Sequence, residues 1–210
     1  MSDIYAIQFT PADLKKSVSF YIDLTDGRSF DEVIYPDSPA PILRNNLDGP
    51  ELGFSSWGMP SPDKAVKHIN DKGITHIRQS DVAHWQKWQT VAHRCLIPAI
   101  AFCKQTHKSA ALSGNDARWL PLHTRPESYY SLPAYGQNEL EPETHKRVRK
   151  VIVRLIFLTT KASSIRDQDT PISLPVIPTN TDELDGWMTA PWDTARLLHR
   201  PLNEQKLIYL

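Results

Sequence analysis

Arg94-Cys95-Leu96-Ile97-Pro98-Ala99-Ile100-Ala101-Phe102-Cys103-Lys104 is the stretch on which the fold turns, an apolar run entered by one positive charge and left by another. Its short length and few β-branched or aromatic residues leave periodicity alone unable to separate a buried strand from a buried helix. Pro98 decides between them. A proline removes a backbone donor and breaks a helix interior, so the run reads as a core strand with an irregular or bulged middle.

Working outward on the N-terminal side, Asp81 to His93 spaces Val82, Trp85, Trp88 or Gln89, and Ala92 near one helical face. Ile74 to Arg78 is short and extended. Glu51 to Met59 reads as a strand ending at Trp57, returning from a turn at Asn45–Pro50 whose Asp48-Gly49 pair suits a tight reversal. Phe30 to Leu43 reads as short strands cut by Pro36, Pro39 and Pro41. Nearer the start, Thr10 caps a helix with Pro11 in its first position, and Leu14, Val18, Tyr21 and Ile22 form its apolar face. Ser61 caps a short helix that Gly73 stops.

On the C-terminal side, Gln105 to Gln137 mixes polar turns with short apolar pieces, and Val148 to Thr159 is the longest strand candidate. Thr181 caps a helix whose first turn carries Asp182 and Glu183, matching the positive end of the helix dipole. Pro191 opens a last helix running through Leu198, and Lys206 to Leu210 suits an edge strand. Seventeen prolines against eight glycines argue for short strands and irregular connections over long helices. These elements predict a single α+β domain over 1–210, with an irregular, mainly antiparallel, barrel-like sheet and flanking short helices.

The chain has 210 residues, long enough for one sizeable core. Its 24 basic and 24 acidic side chains cancel, so any nucleic-acid contact must come from local asymmetry of charge. No apolar run approaches the roughly 20 residues that span a bilayer, and no basic segment leads an apolar one at the start. A cytoplasmic protein without a membrane partner is expected. Cys95 and Cys103 make neither a disulfide framework nor a metal site, and the eight histidines show no pair at zinc spacing with a further ligand in register. No phosphate-cradling glycine loop and no Gly-x-Ser-x-Gly elbow is present. No cofactor is expected.

The order of the segments carries a further signal. Met1-Ser2-Asp3-Ile4-Tyr5-Ala6 is followed by Thr10-Pro11-Ala12-Asp13-Leu14, Val33-Ile34-Tyr35-Pro36, Trp57-Gly58-Met59-Pro60 and His76-Ile77-Arg78-Gln79-Ser80. Then come the Arg94 run, Ile156-Phe157-Leu158-Thr159-Thr160, Leu174-Pro175-Val176-Ile177, Asp185-Gly186-Trp187-Met188 and Leu197-Leu198-His199-Arg200-Pro201. This series resembles the SOS-response-associated peptidase (SRAP) family, which recognises abasic sites in single-stranded DNA. The resemblance spans nearly the whole chain, and the Arg-Cys-Leu-Ile-Pro and Leu-Thr-Thr pieces are its most specific parts. It implies an SRAP-like fold and a DNA-damage role.

In that family an N-terminal cysteine, freed of its methionine, closes a thiazolidine ring with the abasic aldehyde, assisted by an asparagine, a glutamate and a histidine. Here the cysteine position is Ser2, a far poorer nucleophile than a thiolate. The asparagine falls on His76, the glutamate on Lys104 and the histidine on or near Pro171. A carboxylate replaced by an ammonium changes which species gives or takes a proton and disfavours a neighbouring protonated amine. The resemblance thus implies a degenerate site at Ser2, His76 and Lys104, and a pseudoenzyme that binds single-stranded DNA without covalent capture.

Two alternatives stay open: a rearranged enzyme using Schiff-base or peptidase-type chemistry through Ser2 and Lys104, and a peptide- or protein-binding module using the inherited cleft. With Met1 in place, Ser2 is an ordinary internal residue. For DNA contact the candidates are Trp57, Arg78, Arg94 and the basic run Lys146, Arg147, Arg149 and Lys150. Each has a plainer reading: Trp57 as core, Arg94 paired inside the fold, the basic run as a solvated loop, and both cysteines as buried structural residues.

Overall fold

A computed structural model describes residues 3–7, 14, 18, 21–59, 73–104, 119–121, 130–140, 151–167 and 170–202. The expected helices at Thr10 and Ser61, the basic run 146–150, Ser2, and the closing strand at 206–210 lie wholly or largely outside these residues.

Twelve strands are described: β1 (Asp3–Ala6), β2 (Ile22–Asp23), β3 (Val33–Ile34), β4 (Pro39–Arg44), β5 (Glu51–Trp57), β6 (His76–Ile77), β7 (Arg94–Ala99), β8 (Ala101–Lys104), β9 (Trp119–Pro121), β10 (Tyr130–Leu140), β11 (Val151–Asp167) and β12 (Thr170–Pro175). They form a four-stranded sheet, in the order β3-β1-β8-β9, and a larger one in the order β12-β11-β10-β7-β4-β5-β2. In the larger sheet β11 also pairs with β5, Leu155 lying against Trp57, so β5, β4, β7, β10 and β11 close into a barrel. The closing pair is parallel and the other barrel pairs are antiparallel. The fold is therefore α+β, a closed five-stranded barrel with extra strands and short flanking helices.

Closure explains the apolar runs. Alternate residues of a strand face opposite sides of the sheet, and here both sides are buried. Cys95, Ile97 and Ala99 of β7, Leu155 and Phe157 of β11, and Ala40 and Ile42 of β4 belong to one core cluster. Leu96, Ile156, Leu158 and Leu43 belong to a second, with Leu184, Trp187 and Met188 of the helix Thr181–Thr189. A five-stranded barrel has no room for a helix, so the second cluster is the outer layer and the first fills the inside.

The prolines fall where the barrel tolerates them. Pro98 pairs with Ser131 of β10, but β4 meets β7 only at Leu96 and Cys95, so Pro98 has a strand on one side alone. Pro39 and Pro41 lie in the part of β4 that has only β5 beside it, and Pro133 precedes the point where β10 meets β11. Pro121, Pro171 and Pro175 are in edge strands. A missing donor costs little where no second strand waits for it. Prolines 39 and 41 thus sit within a strand instead of cutting it.

The decisive run is also two strands, not one with a bulged middle at Pro98. β7 passes through Pro98, and the break falls at Ile100, whose N–H donates to Ala6 O (2.9 Å) as the chain leaves the barrel for the smaller sheet. The helix expected over 81–93 shrinks to Ala83–Gln86 and a 3₁₀ turn at Val91–His93. The later helix is capped one residue earlier than expected. Asn180 Oδ1 accepts from Glu183 N (2.8 Å), while the Glu183 carboxylate reaches back to Thr179 N (2.6 Å). Among the described residues no helix is long and apolar enough to cross a membrane.

Candidate functional site

Three strands converge on Phe157. Tyr5 of β1 packs edge-on against it with ring centroids 5.0 Å apart, Phe102 of β8 lies 6.5 Å away, and His76 of β6 is its Cα partner in the parallel β6–β11 pair. The β1–β8 register sets Asp3 opposite Lys104, Ile4 opposite Cys103 and Tyr5 opposite Phe102. The start of the chain thus runs beside the end of β8. His76 is half-buried, with its Nδ1 3.3 Å from Thr75 Oγ1. Ser2 and the side chain of Lys104 lie outside the described atoms.

Two of the DNA-contact candidates are core residues. Trp57 has no exposed surface; its rings lie 5.0 Å from both Tyr5 and Phe157, and its Nε1–H donates to Thr75 O (3.0 Å). No face is left to stack on a base, and the plainer reading prevails.

Arg94 is 1 % exposed and its guanidinium donates to Trp187 O (2.7 Å) and Ala190 O. Among the described residues its partners are backbone carbonyls, in place of the carboxylate the plainer reading expected. These carbonyls belong to the C-terminal end of the helix Thr181–Thr189, the negative pole of its dipole, which is where a buried cation is best placed. The guanidinium also lies 5.6 Å from the centre of the Trp187 ring.

The cysteines are structural. Cys95 is buried, and desolvation pushes its thiol up to about 12, with Arg44 only partly opposing. Cys103 is buried as well. Neither has the exposed position of a reactive thiol.

Arg78 is exposed and does line a cavity. This open cleft of about 650 Å³ is walled by Arg78, Ser80, Thr160, Trp192, Arg196 and His199, with Asp81 also at its wall. Arg78 donates to Ser173 Oγ on β12, which leaves the guanidinium anchored at the cleft. Inside it, Ser80 Oγ lies 3.0 Å from His199 Nδ1, and His199 Nε2 lies 2.8 Å from the carbonyl oxygen of Thr159. A carbonyl only accepts, so Nε2 carries the proton, and in the neutral ring Nδ1 is left to accept from the serine. The Gln89 amide donates to Ser80 O (2.7 Å) and holds the backbone of that residue. The buried Tyr135 hydroxyl faces the Ser80 side chain without an ideally formed hydrogen bond among the described residues; desolvation raises its pKa, opposed in part by Arg94 and by that Ser80 contact.

Sequence reasoning singled out neither Ser80 nor His199 as a pair. They are 119 positions apart, and only the packing of the last helical turns against β11 joins them. No cluster of metal-ligating side chains occurs among the described residues.

No family model and no curated protein matches the chain. Its fold does resemble solved structures. One is a structural-genomics protein from Bordetella bronchiseptica, with a TM-score of 0.70, 15 % identity, and 98 % of this chain and 97 % of that one covered. Another is from Bacteroides thetaiotaomicron, with a TM-score of 0.67, 13 % identity, and 98 % and 89 % covered. A third, a phage-related protein from Bordetella bronchiseptica, has a TM-score of 0.54 at 14 % identity, with 97 % and 90 % covered. At such identities the likeness is one of fold alone.

Proposed function

We propose that the chain is a divergent SRAP-type protein that binds single-stranded DNA, including DNA with abasic sites, without capturing it covalently. The observation that carries this reading is the β1–β8 register: Asp3 opposite Lys104 runs the first residues along the strand that ends where the resemblance puts the family's glutamate. His76, at the asparagine position, joins the same neighbourhood through Phe157. The geometry suits the resemblance, while the residue types do not suit the chemistry. A hydroxyl in place of a thiol gives no durable five-membered ring, and an ammonium in place of a carboxylate takes no proton.

The test is a pair of gels with single-stranded DNA bearing one abasic site. The native gel should give a shifted band at low salt that competitor duplex removes only poorly. The denaturing gel, run after borohydride, should give no crosslink. Absence of any single-strand preference at low salt would end the reading. A second reading has the same register behind it: an amine at Ser2, once Met1 is removed, or at Lys104 forms a Schiff base with the abasic aldehyde. A borohydride-trapped band lost in Lys104→Ala, or dependent on methionine removal, would select that reading instead.

A further inference from the structure

We propose that Ser80 and His199 form a nucleophile–base pair and that the cleft they line hydrolyses a small ester bearing negative charge. This does not rest on the DNA reading. Three features of a serine nucleophile are assembled here. The hydroxyl contacts a ring nitrogen at 3.0 Å, and the far nitrogen is committed to the Thr159 carbonyl at 2.8 Å, which selects the tautomer that can receive the proton. Both residues also line one cleft of about 650 Å³, room enough for a small ligand, with Ser80 buried at its wall (7 % exposed) and His199 half-buried. Thr159 is buried and its strand is part of the barrel, so the orienting carbonyl is rigidly placed. Arg78, held by Ser173 Oγ, and Arg196, whose exposed ion pair with Asp193 (3.6 Å) offsets only part of its charge, wall the same cleft and favour an anionic substrate and a developing oxyanion, whereas Asp81 disfavours a second negative charge on its side.

The step balances within the chain, the ester and water. Ser80 Oγ attacks the acyl carbon as its proton passes to His199 Nδ1. The tetrahedral intermediate collapses, the ester C–O bond breaks, and the leaving alkoxide takes the proton from Nδ1. Water then attacks the acyl-serine, giving up a proton to Nδ1, and the proton returns to Oγ as the carboxylic acid departs.

The experiment uses the full chain with a fluorophosphonate probe, which forms an Oγ–P bond and expels fluoride, followed by peptide mass spectrometry. A single adduct at Ser80 is expected, forming on the order of 10²-fold faster than in the urea-unfolded chain. Ser80→Ala should lose it. His199→Asn can present an amide oxygen that accepts the serine hydrogen bond but is too weakly basic to take its proton, so its labelling should slow on the order of 10²-fold with an unchanged unfolding midpoint. A purely structural contact would leave that rate alone.

Hydrolysis of 4-nitrophenyl hemisuccinate should exceed that of 4-nitrophenyl acetate, and Arg196→Gln should narrow the difference. No adduct at Ser80, an adduct no faster than in the unfolded chain, or a rate unmoved in folded His199→Asn would overturn the proposal. If His199→Asn fails to fold, the comparison of native with unfolded wild type still decides.

Discussion

Trp57 illustrates how a residue type underdetermines its role. A tryptophan beside a turn suits a stacking platform equally well as a core, and the ring is here sealed among Tyr5, Phe157 and the Thr75 carbonyl. Trp57→Ala is therefore expected to cost about 3–5 kcal/mol, read as a fall in the denaturant midpoint. Near-wild-type stability with loss of DNA binding would return the residue to the surface.

Cys95 yields a pH prediction. Its folded pKa is raised from 9.0 to about 12, so the folded state holds a proton that the unfolded chain releases. Its contribution to stability is complete below pH 9 and is lost as pH rises from 9 towards 12, and the buried Tyr5 phenol, also raised by desolvation, acts in the same direction. Urea titrations at pH 7 and pH 10 should show the midpoint falling at the higher pH. Thiol reagents at pH 8 should modify Cys95 only on unfolding.

Among the elements, the bridge that follows β5 is sensitive to a small change at Gly73. Met59 and Ile74 bridge two chain segments through reciprocal backbone hydrogen bonds of 2.9 and 2.7 Å. Gly73 precedes this bridge with φ +74°, and a Cβ there would stand 2.5 Å from Met59 O. Gly73→Ala meets both left-handed strain and a backbone atom that cannot rotate away. It is expected to destabilise the chain by more than ~1 kcal/mol, measured by thermal unfolding, because the bridge must open to admit the methyl. Sequence reasoning gave this glycine a related role, the stop of a preceding helix. It could not weigh the clash, since Met59 is distant in the chain.

The shortened helix at 83–86 has a similar origin. Trp85 and Trp88 do share a face, with rings 5.5 Å apart, but burial in the outer layer fixes their path, and helical propensity over so short a segment is marginal.

For the whole molecule, the zero net charge would confine the proposed DNA affinity to local clusters. Binding to single strands should weaken as salt rises, with a slope in log K against log salt of about 0.7 per phosphate neutralised. Replacing Lys146, Arg147, Arg149 and Lys150 by glutamine should reduce that slope by up to about 3, measured by fluorescence titration. An unchanged slope would assign the phosphates to other cations, Arg78 and Arg196 at the cleft being the first to replace.

The local sequence determined what local physics controls. The apolar run from Arg94, the Asn45–Pro50 reversal, the strand ending at Trp57, the long strand through Thr159 and the helix after Asn180 all follow from polarity, turn chemistry and capping within a few residues. The many prolines pointed to an irregular sheet for a sound reason, since each removes a donor. Only the tertiary structure decided where those missing donors go unmissed, because that depends on which strands have a neighbour on both sides. It also decided the change of sheet at Ile100, the burial of Arg94 against a helix end 93 residues further on, and the meeting of Ser80 with His199. Such contacts depend on barrel closure, which joins residues distant in the chain and leaves no periodic trace in the sequence near either partner.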